Sequence, residues 1–178
     1  MIKAMIDIET MSTRNDAAVI AIGTAIFDSE GIIDKQELLL DPRFVPGHRD
    51  EDTLDWWEKQ DPEVKERMFS GELRAPEACK ELFHFLRGYQ CKETWANSPS
   101  FDLVILRELF KEASILSFPV HYSRERDYRT LTRLADRLGI DCGEPYTRAE
   151  HQAHSALSDA ITQAEVVNII LPQLSIKK

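Results

Sequence analysis

The chain has 178 residues, 43% of them hydrophobic and 30% charged, which suits one soluble domain with a single core and leaves no apolar run long enough to cross a bilayer. Its formal net charge of −9 argues against a protein that coats duplex DNA through Lys and Arg, although metal ions would add positive charge that a sequence count omits. The opening Met1-Ile2-Lys3-Ala4-Met5-Ile6-Asp7 meets an acidic residue too early for a signal peptide, so a cytoplasmic location with no membrane partner is expected.

There is no internal repeat, low-complexity tract or Gly/Pro/Ser linker, and one domain over residues 1–178 is expected. Residues 2–9 read as a strand in which Ile2, Ala4, Ile6 and Ile8 alternate with Lys3, Met5, Asp7 and Glu9. Residues 17–27 and 32–40 read as two more strands around the turn Asp28-Ser29-Glu30-Gly31, making an antiparallel three-stranded meander. Helical texture follows over 53–59, 62–69 and 76–89, the last two with Pro near the first turn. A short strand at 93–96, a helix at 101–113, a strand at 121–126, a helix at 128–138 stopped by Gly139, and a terminal helix at 156–170 complete the chain. Strands first, then alternating strand and helix, give an α/β fold: a mixed sheet with helices on its faces. Cys79, Cys91 and Cys142 are odd in number and lack a Cys-x-x-Cys spacing, so they read as reduced thiols.

Asp7 and Glu9 stand two apart on a strand, so both point to one face. Two carboxylates on one face repel unless a cation joins them, and hard divalent ions take oxygen ligands. Taken alone, the pair is common and is more simply explained as a polar strand end at the surface. Further on, Trp95-Ala96-Asn97 ends a strand and Phe101-Asp102 opens a helix. Asp102 suits either a ligand site at the strand ends of an open α/β sheet or a first-turn carboxylate favoured by the helix dipole. Then come His154, Ser155 and Asp159. Within one ideal helix a five-residue step leaves side chains roughly 140° apart. His154 and Asp159 therefore share a site only if His154 precedes the helix and Ser155 caps it. His151 is a nearby competitor.

Asp7-x-Glu9 with Thr10, Asn97 before Phe101-Asp102, and His154 ahead of Asp159 resemble, in order, the three motifs of the DEDDh 3′-5′ exonuclease superfamily, the DnaQ-like enzymes of ribonuclease H-like fold. The segments Thr53-Leu54-Asp55-Trp56-Trp57 and Asp127-Tyr128-Arg129-Thr130-Leu131 look further like the DexA-type phage exonucleases and mycobacterial-type exoribonucleases. The resemblance implies hydrolysis of a 3′-terminal phosphodiester with release of a nucleoside 5′-monophosphate. It implies that Asp7, Glu9, Asp102 and Asp159 hold two divalent ions, Mg²⁺ or Mn²⁺, in a two-metal mechanism. His154 would be the general base, its unperturbed pKa near 6.5 suiting the task.

For substrate, the resemblance implies single-stranded nucleic acid or a 3′ overhang, with Thr10 and Asn97 at the motifs and Met11 as an apolar wedge beside the terminal base. Trp56 and Trp57 either stack on bases or pack beneath the site. Arg129 belongs to the densest basic stretch, with Arg124, Arg126 and Arg133. Interleaved Glu125 and Asp127 make an ion-paired face as good a reading as phosphate contact. A homodimer is a partner the superfamily allows. An endonuclease-type ribonuclease H domain does not need the His154–Asp159 spacing. A HAD-type phosphatase wants Asp-x-Asp where Glu9 stands. A non-catalytic binding module would not keep all five side chains, and a polymerase-associated proofreading subunit would need a partner. No residue announces a 2′-OH contact, which leaves RNA and DNA equally open.

Overall fold

The computed structural model describes residues 1–114, 117–149 and 155–176. β1 (Lys3–Thr10), β2 (Val19–Asp28) and β3 (Gly31–Leu39) form the expected antiparallel meander. The β2–β3 turn closes where Asp28 Oδ1 accepts from Glu30 N at 2.8 Å and Gly31 takes φ 138°, a conformation that favours glycine. β4 (Glu93–Ala96) and β5 (Glu125–Asp127) add in parallel beyond β1, so the sheet order is β3-β2-β1-β4-β5.

Helices cover both faces. On one face α1 (Glu51–Glu58), α2 (Pro62–Phe69), α3 (Ala75–Tyr89) and α4 (Asp102–Glu112) enclose Ala4, Ile6 and Ile8 of β1 with Trp57, Leu82, Leu106 and Phe110. On the other face α5 (Tyr128–Arg137), α6 (Gly143–Ala149) and α7 (Ala156–Ile176) cover Met5, Ala25, Phe27 and Trp95. α7 runs along β2, from Ala156 above Gly23 to Asn168, whose Nδ2 donates to Asp28 O at 2.6 Å.

Several local expectations change, and α7 runs six residues past the expected 170. The strict alternation read for β1 suggests one open face, but β1 is central and α7 covers that face: Met5 is fully buried and Lys3 and Glu9 nearly so. Central strands of helix-covered sheets are buried on both sides. The strand expected at 121–126 is a 3-10 turn (Tyr122–Arg124) followed by the three residues of β5. α1 starts two residues earlier than expected because Asp50 caps it, accepting from Thr53 N at 2.8 Å. α6 was not anticipated at all, being a short helix opened by Gly143 and Pro145. The three cysteines are free, as read from their spacing.

Candidate active site

β1 delivers Asp7 and Glu9 to the face under the first turns of α7, and Asp159 meets them from α7. Carboxylate oxygens of Asp7, Glu9 and Asp159 lie within 4.8 Å of one another. Asp102 stands at the start of α4, just past the end of β4, which runs parallel to β1. It is 3% exposed, and its Oδ2 has no hydrogen-bond partner among the described residues. The four carboxylates line one cleft of about 460 Å³ with Asn97, Phe101, Tyr128, Arg129, Arg133 and Gln163.

Crowding and burial disturb all three of these groups for which a shift is resolved. Asp7 is pushed well above the usual carboxylate range, first by burial, then by Asp102, Glu9 and Asp159, against a lowering hydrogen bond from Gln163. Glu9 rises to about 8, through burial and the charges of Asp159 and Asp102. Asp102 rises to about 7 through burial, partly offset by backbone N–H groups and the Arg129 charge. Desolvated carboxylates that cannot all ionise together form a site for positive charge. The donor set is all oxygen, as hard divalent ions require, and the orphaned Asp102 Oδ2 is a ready ligand atom. The residues present therefore fit a Mg²⁺- or Mn²⁺-type ion.

Several side chains hold this arrangement. Gln163, four residues after Asp159 on α7, donates from Nε2 to Asp7 Oδ1 at 2.9 Å, while its Oε1 is buried with no partner among the described residues. The i, i+4 spacing after Asp159 puts Gln163 on the same side of α7, a signal that gains meaning once that side is known to face β1. Arg129 donates to Asn97 Oδ1 and Asn97 O, both at 3.3 Å, which fixes its guanidinium at the cleft edge. The basic stretch is thus divided. Arg129 and Arg133 line the carboxylate cleft, Arg126 pairs with Glu93 at 3.1 Å, and Arg124 lies on a separate cavity with Arg87 and Lys92.

A second cavity of about 650 Å³ shares Ile8, Glu9 and Phe101 with the cleft and extends past Thr10, Arg14, His48, Asp50, Thr53, Trp56 and Trp57. Trp56 is 39% exposed there, edge-on to Trp57 at 5.0 Å. Trp57 is 1% exposed, and its Nε1 donates to Thr10 O at 2.9 Å, so it braces the end of β1 rather than offering a face to a base. Met11, expected as a wedge, is 3% exposed and belongs to the main core, because the chain turns inward where Met11 N donates to Ala18 O. The Thr10 hydroxyl is spent locally, donating to Ser12 O at 2.7 Å. Ser12, unremarked in the sequence, is buried and lies 2.9 Å from His48 Nδ1, holding that ring in the cavity wall.

His154 and its competitor His151 lie outside the described residues. Ser155 immediately precedes α7, and its carbonyl accepts from Asp159 N at 2.9 Å, as the carbonyl of an N-cap does. Its hydroxyl also donates to Glu37 Oε1 at 3.5 Å.

The model of the 3′-5′ exoribonuclease Rv2179c-like domain family matches residues 2–171. Among solved structures, the nuclease domain of 3′hExo, a DEDDh family member bound to rAMP, superposes with a TM-score of 0.64 at 12% identity, over 97% of this chain and 92% of that one. Escherichia coli ExoI, in a metal-free form with single-stranded DNA, gives 0.71 at 13% identity, over 97% of this chain and 41% of that one. Exonuclease I from Methylocaldum szegediense gives 0.71 at 13% identity, over 99% and 41%. The chain thus spans less than half the length of these exonuclease I chains. At such identities the likeness is one of fold, and it is the ribonuclease H-like fold of the DEDDh exonucleases. No curated protein matches the chain.

Proposed function

The chain belongs to the 3′-5′ exoribonuclease Rv2179c-like domain family and, with it, to the DEDDh 3′-5′ exonucleases, and on that footing we propose that it hydrolyses the 3′-terminal phosphodiester of single-stranded nucleic acid or of a 3′ overhang, releasing a nucleoside 5′-monophosphate. The observation that carries this reading is the convergence of Asp7, Glu9 and Asp159 within 4.8 Å at the junction of an acidic cleft and a cavity walled by Trp56. A strand end can reach such a junction with its last phosphate in the cleft and its last base in the cavity.

The division of labour follows from the chemistry of each side chain. Asp7, Glu9, Asp102 and Asp159 would hold two divalent ions, which when bound offset charge on the attacking and leaving oxygens of the displacement. Gln163 keeps Asp7 oriented through its 2.9 Å hydrogen bond. Arg129, braced by Asn97, and Arg133 on the same side of α5 take the non-bridging phosphate oxygens. Trp56 stacks on a base, a contact that tolerates any sequence. His154, on the strength of its motif position, removes the proton from the attacking water.

The test is an assay on end-labelled single-stranded RNA, single-stranded DNA and 3′-overhang duplexes with Mg²⁺ or Mn²⁺, with Asp7→Ala as the control. Stepwise shortening from the 3′ end that the variant lacks is the expected result. Cleavage at internal positions only, or equal activity in the variant, overturns the proposal.

A further inference from the structure

The first turn of α7 rests directly on the backbone of β2 at Gly23. A Cβ at this position would stand 2.1 Å from Ala156 C and O and 2.3 Å from Leu157 N. Non-bonded carbon atoms prefer roughly 3.5–4.0 Å, and all three neighbours are backbone atoms that no change of rotamer can move. Gly23 has no left-handed φ to explain its presence, so it is the missing side chain that counts here.

The location ties this contact to the cleft. Gly23 is the cross-strand partner of Asp7, and Ala156 precedes Asp159 by three residues on α7. The contact therefore lies between the two elements that bring the carboxylates together. The rest of the seat is also small: Ala25 on the same face of β2, and Ala160 and Ala164 one and two turns along α7, all fully buried. Three turns further along, the helix is fixed separately, by Asn168 donating to Asp28 O.

We propose that Gly23 is a positioning residue that sets how deeply α7 seats on the sheet, and so brings Asp159 and Gln163 within reach of Asp7 and Glu9. The proposal rests on the reading of the carboxylates as a cation site. Any side chain at position 23 lifts the first turn of α7 by about 1 Å or more to restore ordinary contact. Three ligand groups now within 4.8 Å would spread by a similar amount. Outer-shell changes of this kind typically weaken metal binding about 10–100-fold, and a 1 Å misplacement lowers turnover by a comparable factor. A residue that only fills space would lower stability and leave affinity alone.

Mn²⁺ titration followed by electron paramagnetic resonance, with thermal melting and steady-state kinetics on a 3′-labelled oligonucleotide, separates the two roles. Gly23→Ala should fold, bind Mn²⁺ at least about tenfold more weakly and lose kcat by at least that factor, with KM nearly unchanged. Ala160→Val adds bulk one turn further along the same seam between α7 and the sheet and should act in the same direction, deciding the matter if Gly23→Ala does not fold. Asn168→Ala loosens this more distant attachment and should lower the melting temperature at wild-type Mn²⁺ affinity. The proposal is overturned if a folded gap-filling variant binds Mn²⁺ within twofold of wild type, or if Asn168→Ala weakens binding as much as the others. A wild-type chain that binds no Mn²⁺ would instead fell the cation reading, and this proposal with it.

Discussion

Asp102 leads α4 from a position only 3% exposed, among other acids. A solvated carboxylate in a first helical turn is worth about 0.3–1 kcal/mol, but here burial lifts its pKa to about 7 and turns that gain into a penalty. Asp102→Asn should therefore raise the melting temperature of the metal-free protein at pH 8, by roughly 2–4 °C per kcal/mol relieved, while abolishing hydrolysis. Calorimetry beside an activity assay checks both, and a variant that loses stability as well would make Asp102 a simple cap. The two tryptophans divide in the same way. Trp56→Ala should raise KM about tenfold at near-constant kcat, the loss of one stacked base. Trp57→Ala should cost about 3–5 kcal/mol in urea unfolding, since its ring is buried and its Nε1 holds Thr10 O. His154→Ala, chosen from sequence alone, should bind Mn²⁺ normally and turn over poorly. Wild-type rates would remove it from the mechanism.

At the scale of elements, α7 brings Asp159 and Gln163 up to Asp7, and only the first was legible. Asp159 is announced by a motif whose parts lie close in sequence. Gln163 is visible only once α7 is known to face β1. Gln163→Leu should weaken Mn²⁺ binding about 10–100-fold, read by isothermal titration, because Asp7 Oδ1 loses its donor. The meander, the order of the carboxylates and most helices could be read because periodicity and turn chemistry are local. Gly23 could not, since its meaning depends on a helix more than 130 residues later. Nor could the sequence separate Trp56 from Trp57, adjacent residues of which one reaches the cavity and the other the core. The alternation in β1 misled because a polar face beneath a helix and one beneath water share the same pattern, and Met11 misled because a turn inward leaves no periodic trace.

For the whole molecule, these buried acids link stability to pH. Glu9 rises from 4.5 to about 8 and Asp102 from 3.8 to about 7. Between those limits the unfolded chain has released protons that the folded chain still binds, so stability falls as pH rises and levels off above about 8. At the acid end, Asp50, held near 2 chiefly by the Thr53 backbone N–H, acts oppositely, and its contribution is lost as pH falls from 3.8 towards 2. Melting temperatures in chelator should thus decline from pH 5 to pH 8, and added Mn²⁺ should raise them more at pH 8 than at pH 5. A chelated protein that grows steadily more stable up to pH 8 would contradict the burial of these groups.

The close approach at Gly23 also bears on how this chain can change over generations. Every single-base change of a glycine codon that alters the amino acid and leaves the frame open introduces a Cβ. No one-step substitution at that codon fits the 2.1 Å gap to Ala156. On the proposed role of Gly23, a lineage can lose nuclease activity while every acidic residue stays in place, and a search of genomes for inactive copies that inspects only the carboxylates would miss it.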